Sequence, residues 1–120
     1  MPWFLLALAL VALASWAVTR LGRVSPDEAR RLLAEGAVVL DVRSPVEFAS
    51  QSIPGAINVP LDSLEFQVAN AVPSKDTPVL LHCQSGGRSG VATRILRGLG
   101  YSRAFNLGSL ANARSILGRG

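Results

Sequence analysis

Two short runs, Ala37-Val38-Val39-Leu40 and Pro78-Val79-Leu80-Leu81, are apolar at every position. A strand with one face in water alternates apolar and polar residues, so a continuous apolar run reads as a strand buried on both faces, the signature of a parallel sheet covered by helices. Helix signals stand between the runs. Ser25-Pro26-Asp27-Glu28 has a capping residue, a proline for the first turn and a glutamate three residues after the cap, and Ser44-Pro45-Val46-Glu47 repeats that grammar. The first helix carries Ala29, Leu32 and Leu33 inward and stops at Gly36. A second strand is expected over Ala56-Ile57-Asn58-Val59, and a helix from Leu61 to Ala71 with Asp62 or Ser63 as cap. A helix opening at Ser89 places Val91, Ala92, Ile95, Leu96 and Leu99 on one side, followed by a strand over 102–107 and a last helix over 108–117. Alternating strands and helices predict an α/β sandwich around a mostly parallel sheet.

The chain has 120 residues, enough for one domain, and the first 20 differ in character from the rest. Trp3 to Val18 is apolar without a charge, and with Pro2 and Thr19 it makes an 18-residue stretch with tryptophans near both ends. That length sits at the lower limit for crossing a bilayer. Residues 1–20 therefore read as a membrane anchor that stays or as a cleaved signal peptide, and 21–120 as the globular domain. Ala12-Leu13-Ala14 and Ser15-Trp16-Ala17 offer cleavage patterns, whereas no Lys or Arg precedes the run. Retained, it makes a single-pass membrane protein; cleaved, it leaves an exported domain. Arg20, Arg23, Arg30 and Arg31 would hold the domain on the cytoplasmic side.

The formal net charge is +4, and of the 12 basic residues 11 are arginine. They are scattered and not interleaved with aromatics, which argues against nucleic-acid binding and for a basic surface suited to a small anion. The single cysteine excludes an internal disulfide and zinc sites built on paired cysteines, and no resident metal or cofactor is expected.

That cysteine, Cys83, directly follows the third strand and opens Cys83-Gln84-Ser85-Gly86-Gly87-Arg88-Ser89. Ligands bind beyond the carboxyl ends of parallel strands. Gly86 and Gly87 let several backbone N–H groups converge at a helix N-terminus, and such a nest stabilises an anion, here the thiolate itself. Arg88 can hold a substrate oxyanion, and Ser85 and Ser89 can donate hydroxyl hydrogen bonds. His82, one step earlier on the strand, is expected to point away from Cys83, as a core or a satisfied surface histidine and not a base. Phosphatases with a Cys-Arg loop place five residues between the two; here there are four, a tighter cradle suited to one sulfur atom.

This loop resembles the active-site loop of the rhodanese family, as do Asp41-Val42-Arg43-Ser44-Pro45-Val46-Glu47-Phe48 and Ile53-Pro54-Gly55-Ala56-Ile57-Asn58-Val59-Pro60. The likeness extends to the small, exported thiosulfate sulfurtransferases of the bacterial phage-shock type. It implies a rhodanese-like α/β/α sandwich, with the N-terminal hydrophobic helix in front. It also implies a sulfurtransferase that takes sulfane sulfur from thiosulfate, or a related anionic donor, through a persulfide on Cys83 to cyanide or a thiol. Cys83 is then the catalytic residue, and Arg88, Gln84, Ser85, Gly86, Gly87 and Ser89 bind substrate. Asp41, Arg43 and Glu47 give structural support, with Arg43 expected to pair with Glu47. The alternative is a non-catalytic, membrane-bound persulfide carrier or sulfur-sensing partner module. The sequence departs from the family at Gln51-Ser52, often Gly-His, which is expected to alter only a turn, and in lacking a tryptophan after Gly108.

Overall fold

The computed structural model describes residues 2–118. Four strands, β1 Val38–Asp41, β2 Ile57–Asn58, β3 Val79–His82 and β4 Ala104–Gly108, form one sheet in the order β2-β1-β3-β4. Every pairing among them is parallel. The described residues also form six α-helices: α1 Trp3–Thr19, α2 Pro26–Ala34, α3 Pro45–Ser50, α4 Leu64–Ala71, α5 Gly87–Gly98 and α6 Leu110–Leu117.

Both faces of the sheet are covered, as the apolar runs require. On one face Leu40, Val79 and Leu81 meet Leu64 and Val68 of α4 and Ala92 and Leu96 of α5. On the other, Val39 and Leu80 meet Ala29 and Leu32 of α2 and Leu110, Ala113 and Ile116 of α6. Alternate residues of one strand thus enter opposite cores. The chain passes from β1 to β2 on one side and to β3 on the other, so the crevice beyond Asp41 and His82 lies at the switch in winding direction.

Local signals hold with some changes. Ser25 Oγ accepts from the Glu28 N–H at 3.2 Å, but the Glu28 carboxylate pairs with Arg31 instead of returning to the cap. The Ser44–Glu47 capping box forms in both directions. The expected helix over 61–71 divides into a 3₁₀ turn, Leu61–Ser63, and α4, and neither Asp62 nor Ser63 caps it. On α5 the inward face includes Thr93, while Val91 is exposed. Thr93 can be buried because its hydroxyl donates to the Ser89 carbonyl at 2.7 Å.

The N-terminal expectation needs correction. α1 has 17 residues, about 25 Å of helix, against about 30 Å of hydrocarbon, and no described helix is long and apolar enough to cross a membrane. Its body buries no residue. Its last turn is seated on α5: a Cβ added at Gly90 would stand 2.4 Å from the Val18 carbonyl oxygen. The residues after α1 run along β4, where the Asn106 N–H donates to Gly22 O at 2.8 Å and the Val24 N–H to Asn106 O at 3.2 Å.

Candidate active site

Cys83 leaves the end of β3, and its backbone N–H donates to Gly108 O at 3.2 Å, which fixes the start of the loop. Gly86 adopts φ +101°, a conformation that favours glycine, and turns the loop into the first residues of α5. The turn gathers donors around one atom. Cys83 Sγ accepts from Gly86 N–H at 3.0 Å, from Ser89 N–H at 3.4 Å and from the Ser89 hydroxyl at 3.4 Å. Burial pushes the thiol up, but the Ser89 hydroxyl and the N–H groups of Ser89, Gly86 and Ser85 together outweigh it and leave Cys83 below the ordinary thiol value. The α5 N-terminus adds its dipole in the same sense.

Not every loop residue reaches the sulfur. Ser85 is exposed and takes part through its backbone; Gly87 begins α5. The Gln84 side chain turns aside, its Oε1 accepting from Arg43 Nη1 at 3.4 Å.

The charged residues pair differently from the sequence-based expectation. Arg43 does not meet Glu47. It is buried, and its Nε and Nη2 donate to the Asp41 carboxylate at 2.7–3.0 Å, with Nη2 also on Gln51 O at 2.6 Å. The Arg43 N–H adds a bond to Asp41 Oδ1 at 2.9 Å. Only two residues apart at a strand end, the pair closes on itself before the arginine can reach α3. Glu47 instead takes Arg88 in a two-pronged pair at 2.6 and 2.9 Å. Arg88, Ser44 and the Ser44 N–H hold the Glu47 carboxyl at about 2. Arg88 is therefore not a free cation; an anion must compete with Glu47 for it. Beside it, Val42, Ser44, Pro60, Leu61, Asp62 and Arg88 line a cleft of about 100 Å³. A wider depression of about 500 Å³ at the β2 edge shares no residue with the Cys83 loop.

His82 lies in the core as expected, with its Nε2 3.9 Å from Asp41 Oδ2 and neither ring nitrogen hydrogen-bonded among the described residues. Burial lowers its basicity, against the pull of Asp41. Gln51 does more than alter a turn. Besides receiving Arg43, its side-chain oxygen, with the amide oriented to satisfy both ends, accepts from Arg114 of α6 at 3.0 and 3.1 Å. That contact ties α6 to the site where a tryptophan is lacking.

Asn106 was not singled out by sequence reasoning. It is wholly buried on β4 and accepts the Ser89 hydroxyl at 2.7 Å. An asparagine inside Ala104-Phe105-Asn106-Leu107, where the strand interior disfavours it, was the available signal.

The Rhodanese-like domain family matches residues 25–112. Thiosulfate sulfurtransferase PspE of Escherichia coli is 39% identical over 71 residues, 59% of this chain and 68% of that protein. The human thiosulfate:glutathione sulfurtransferase is 41% identical over 96 residues, covering 69% and 84% respectively. The solved structure of a human single-domain sulfurtransferase superposes with a TM-score of 0.65 at 36% identity, over 78% of this chain and 96% of that one. With its parallel sheet, its Cys83 loop and a match across most of its length, the chain belongs to the rhodanese-like domain family.

Proposed function

We propose that this chain passes a sulfane sulfur from thiosulfate, or a related anionic donor, to cyanide or a thiol by way of a persulfide on Cys83. It is a thiosulfate sulfurtransferase of the rhodanese type. The observation that carries the reading is the ring of N–H and O–H donors converging on Cys83 Sγ.

The Cys83 thiolate attacks the outer sulfur of thiosulfate. The S–S bond of the donor breaks, sulfite departs with the electron pair, and the terminal sulfur of the new persulfide carries the negative charge. A cyanide or thiolate then attacks that terminal sulfur and the Cys83 thiolate is restored. The proposal uses no general base: the donors around Sγ lower the Cys83 thiol below its ordinary value and so favour the thiolate. Arg88 receives the sulfonate by exchanging its Glu47 partner for the donor. The donors around Sγ, set by four intervening residues, fit one added sulfur better than a phosphoryl group.

Thiocyanate formation from thiosulfate and cyanide tests the reading, with Cys83→Ser as the inactive control. Intact mass after thiosulfate alone should show one added sulfur atom, absent in the variant. Turnover of an aryl phosphate without thiocyanate would sink it.

For its location, α1 supplies the argument. Ten large apolar side chains of this helix face solvent. A surface of that extent calls for a cover. A lipid bilayer suits a helix apolar on every side, with α1 embedded from one face instead of crossing.

A further inference from the structure

Ser89 carries one hydroxyl proton and four acceptors surround it. Asn106 Oδ1 lies at 2.7 Å, Gly86 O at 3.2 Å, Cys83 Sγ at 3.4 Å and Gly108 O at 3.5 Å. The distance of 2.7 Å is that of a strong O–H···O bond. The proton therefore rests mainly on Asn106 and only in part on the longer bond to Cys83 Sγ, which strengthens when the sulfur becomes charged.

The hold of Asn106 depends on what fixes its other end. Its Oδ1 also accepts from Gly108 N–H at 2.8 Å. Its Nδ2 faces three carbonyl oxygens: Leu21 at 3.0 Å, Gly86 at 3.2 Å and Thr19 at 3.3 Å. Donors face the amide oxygen and acceptors face the nitrogen, so the orientation is unambiguous. Two of those three acceptors belong to the last residue of α1 and the turn after it. α1 is thereby linked to Cys83 through two side chains, Asn106 and Ser89.

We propose that Asn106 is a positioning residue, holding the Ser89 hydroxyl away from Cys83 to a degree set by the seating of the last turn of α1. The inference rests on Cys83 being the reactive thiol. When α1 is seated, Asn106 is clamped and keeps the hydroxyl. When that turn lifts, Asn106 loses two of the three acceptors on its Nδ2 and the hydroxyl turns toward the sulfur. A change in the surroundings of α1 is thus transmitted to the nucleophile from outside the Cys83 loop.

Gly90→Ala acts chiefly on the α1 end of this link, the added methyl standing in ordinary contact with Asn106 Nδ2 at 3.4 Å. The added methyl collides with the Val18 carbonyl at 2.4 Å and with Leu21 Cβ at 3.1 Å, while alanine suits the α5 helix it stands in. The charged and titratable groups on the elements around the loop are Arg88 with Glu47, Asp41 with Arg43, neutral His82, and Arg23 packed against Gly108.

The experiment follows the rate of iodoacetamide alkylation of Cys83 against pH in the full-length chain. The expected result is a midpoint about half a pH unit lower in Gly90→Ala, meaning ~3-fold more thiolate at any pH below it. In a Ser89→Ala background the same substitution should shift the midpoint little, because the relay is cut. An unmoved midpoint in a folded Gly90→Ala protein overturns the proposal. So does an equal shift in both backgrounds, which would mark a direct effect of displaced charge such as Arg23. Should Gly90→Ala fail to fold, Asn106→Asp reads the same link. Its stronger acceptor raises the midpoint more in the parent than in Ser89→Ala, and an equal rise refutes the relay. Alkylation does not require sulfur transfer, so loss of thiocyanate formation with the midpoint shift intact would strike the catalytic reading and spare this one.

Discussion

Asp41→Asn is the sharpest test of what supports the cysteine loop. Asp41 and Arg43 are 0% and 2% exposed, so each ion has exchanged water for the other. Three side-chain bonds at 2.7–3.0 Å and one backbone bond at 2.9 Å join them, and Arg43 continues to Gln51 and Gln84. Removing one partner of such a pair leaves a buried charge unmatched, at about 3–5 kcal/mol. Asparagine keeps one acceptor oxygen, which places the cost near 3 kcal/mol, but turns an NH₂ toward the guanidinium. For a chain of this size that is a fall in Tm of about 12 °C. Urea unfolding should show the midpoint lower by about 2 M at unchanged m, taking m near 1.5 kcal/mol/M. Because Arg43 reaches Gln84, beside the nucleophile, Cys83 should also alkylate less selectively with pH. A loss under about 1 kcal/mol would refute the reasoning, since Arg43 would then owe its place to the carbonyl of Gln51 and not to the carboxylate. Full stability with a collapsed kcat would instead make Asp41 a participant in the chemistry.

Glu47→Gln keeps the α3 capping box but frees Arg88, so thiosulfate KM should fall about 2- to 5-fold with kcat little changed; a KM that rises would show that Glu47 orients Arg88 for the donor. The Glu47 carboxyl is held at about 2, a depressed value, so the pair's contribution is complete above about pH 4.5 and disappears as pH falls through about 2; a carboxylate NMR titration of Glu47 reads this directly. His82 is held neutral by burial, so the unfolded chain takes a proton that the folded one refuses; stability should decline as pH drops below about 6.5, and His82→Leu should flatten that slope. The full-length chain should sediment with phosphatidylcholine vesicles, and Leu8→Glu with Val11→Glu should release it; a protein that stays in the supernatant would remove the membrane reading.

Much of the architecture was legible because it rests on local rules. Val38–Leu40 and Val79–Leu81 have no polar residue to offer solvent, and that alone requires a sheet covered twice. The Ser44 cap and its Glu47 return lie three residues apart, within reach of pattern reading. The Cys83 loop was legible for a similar reason: glycines, a helix start and a cysteine stand within seven residues. Partner choice was not. Glu47 is four residues from Arg43 and 41 from Arg88, and only the parallel pairing of β1 with β3 brings the distant one nearer. Sequence spacing favoured the local pair, while burial of Asp41 captured Arg43 first. Asn106 was hidden for the same reason, since its partners Thr19 and Ser89 are separated from it by whole elements. The α1 stretch was overread by a single residue at the limit: Pro2 caps the helix from outside, and 17 residues remain.

These pairings change how the site's electrostatics should be understood. The basic charge of the chain invites the view that the site attracts anions through Arg43 and Arg88, yet both guanidiniums are already matched, Arg43 by Asp41 and Arg88 by Glu47. Neutral pairs contribute little to the field at the sulfur. Besides Arg23, packed against Gly108, what remains there is a set of backbone N–H dipoles and one shared hydroxyl. Such dipoles are fixed by the fold and need no reorganisation when charge moves from Sγ to an added sulfur and back. The arginine charge becomes available only when a donor displaces Glu47, so attraction for anions is coupled to the arrival of one that competes well. A sulfonate with three oxygens can meet both prongs of Arg88, which chloride cannot. Selectivity then arises from the strength of the pair that must be broken, and the lowered basicity of the Cys83 thiolate from dipoles that no passing ion can neutralise.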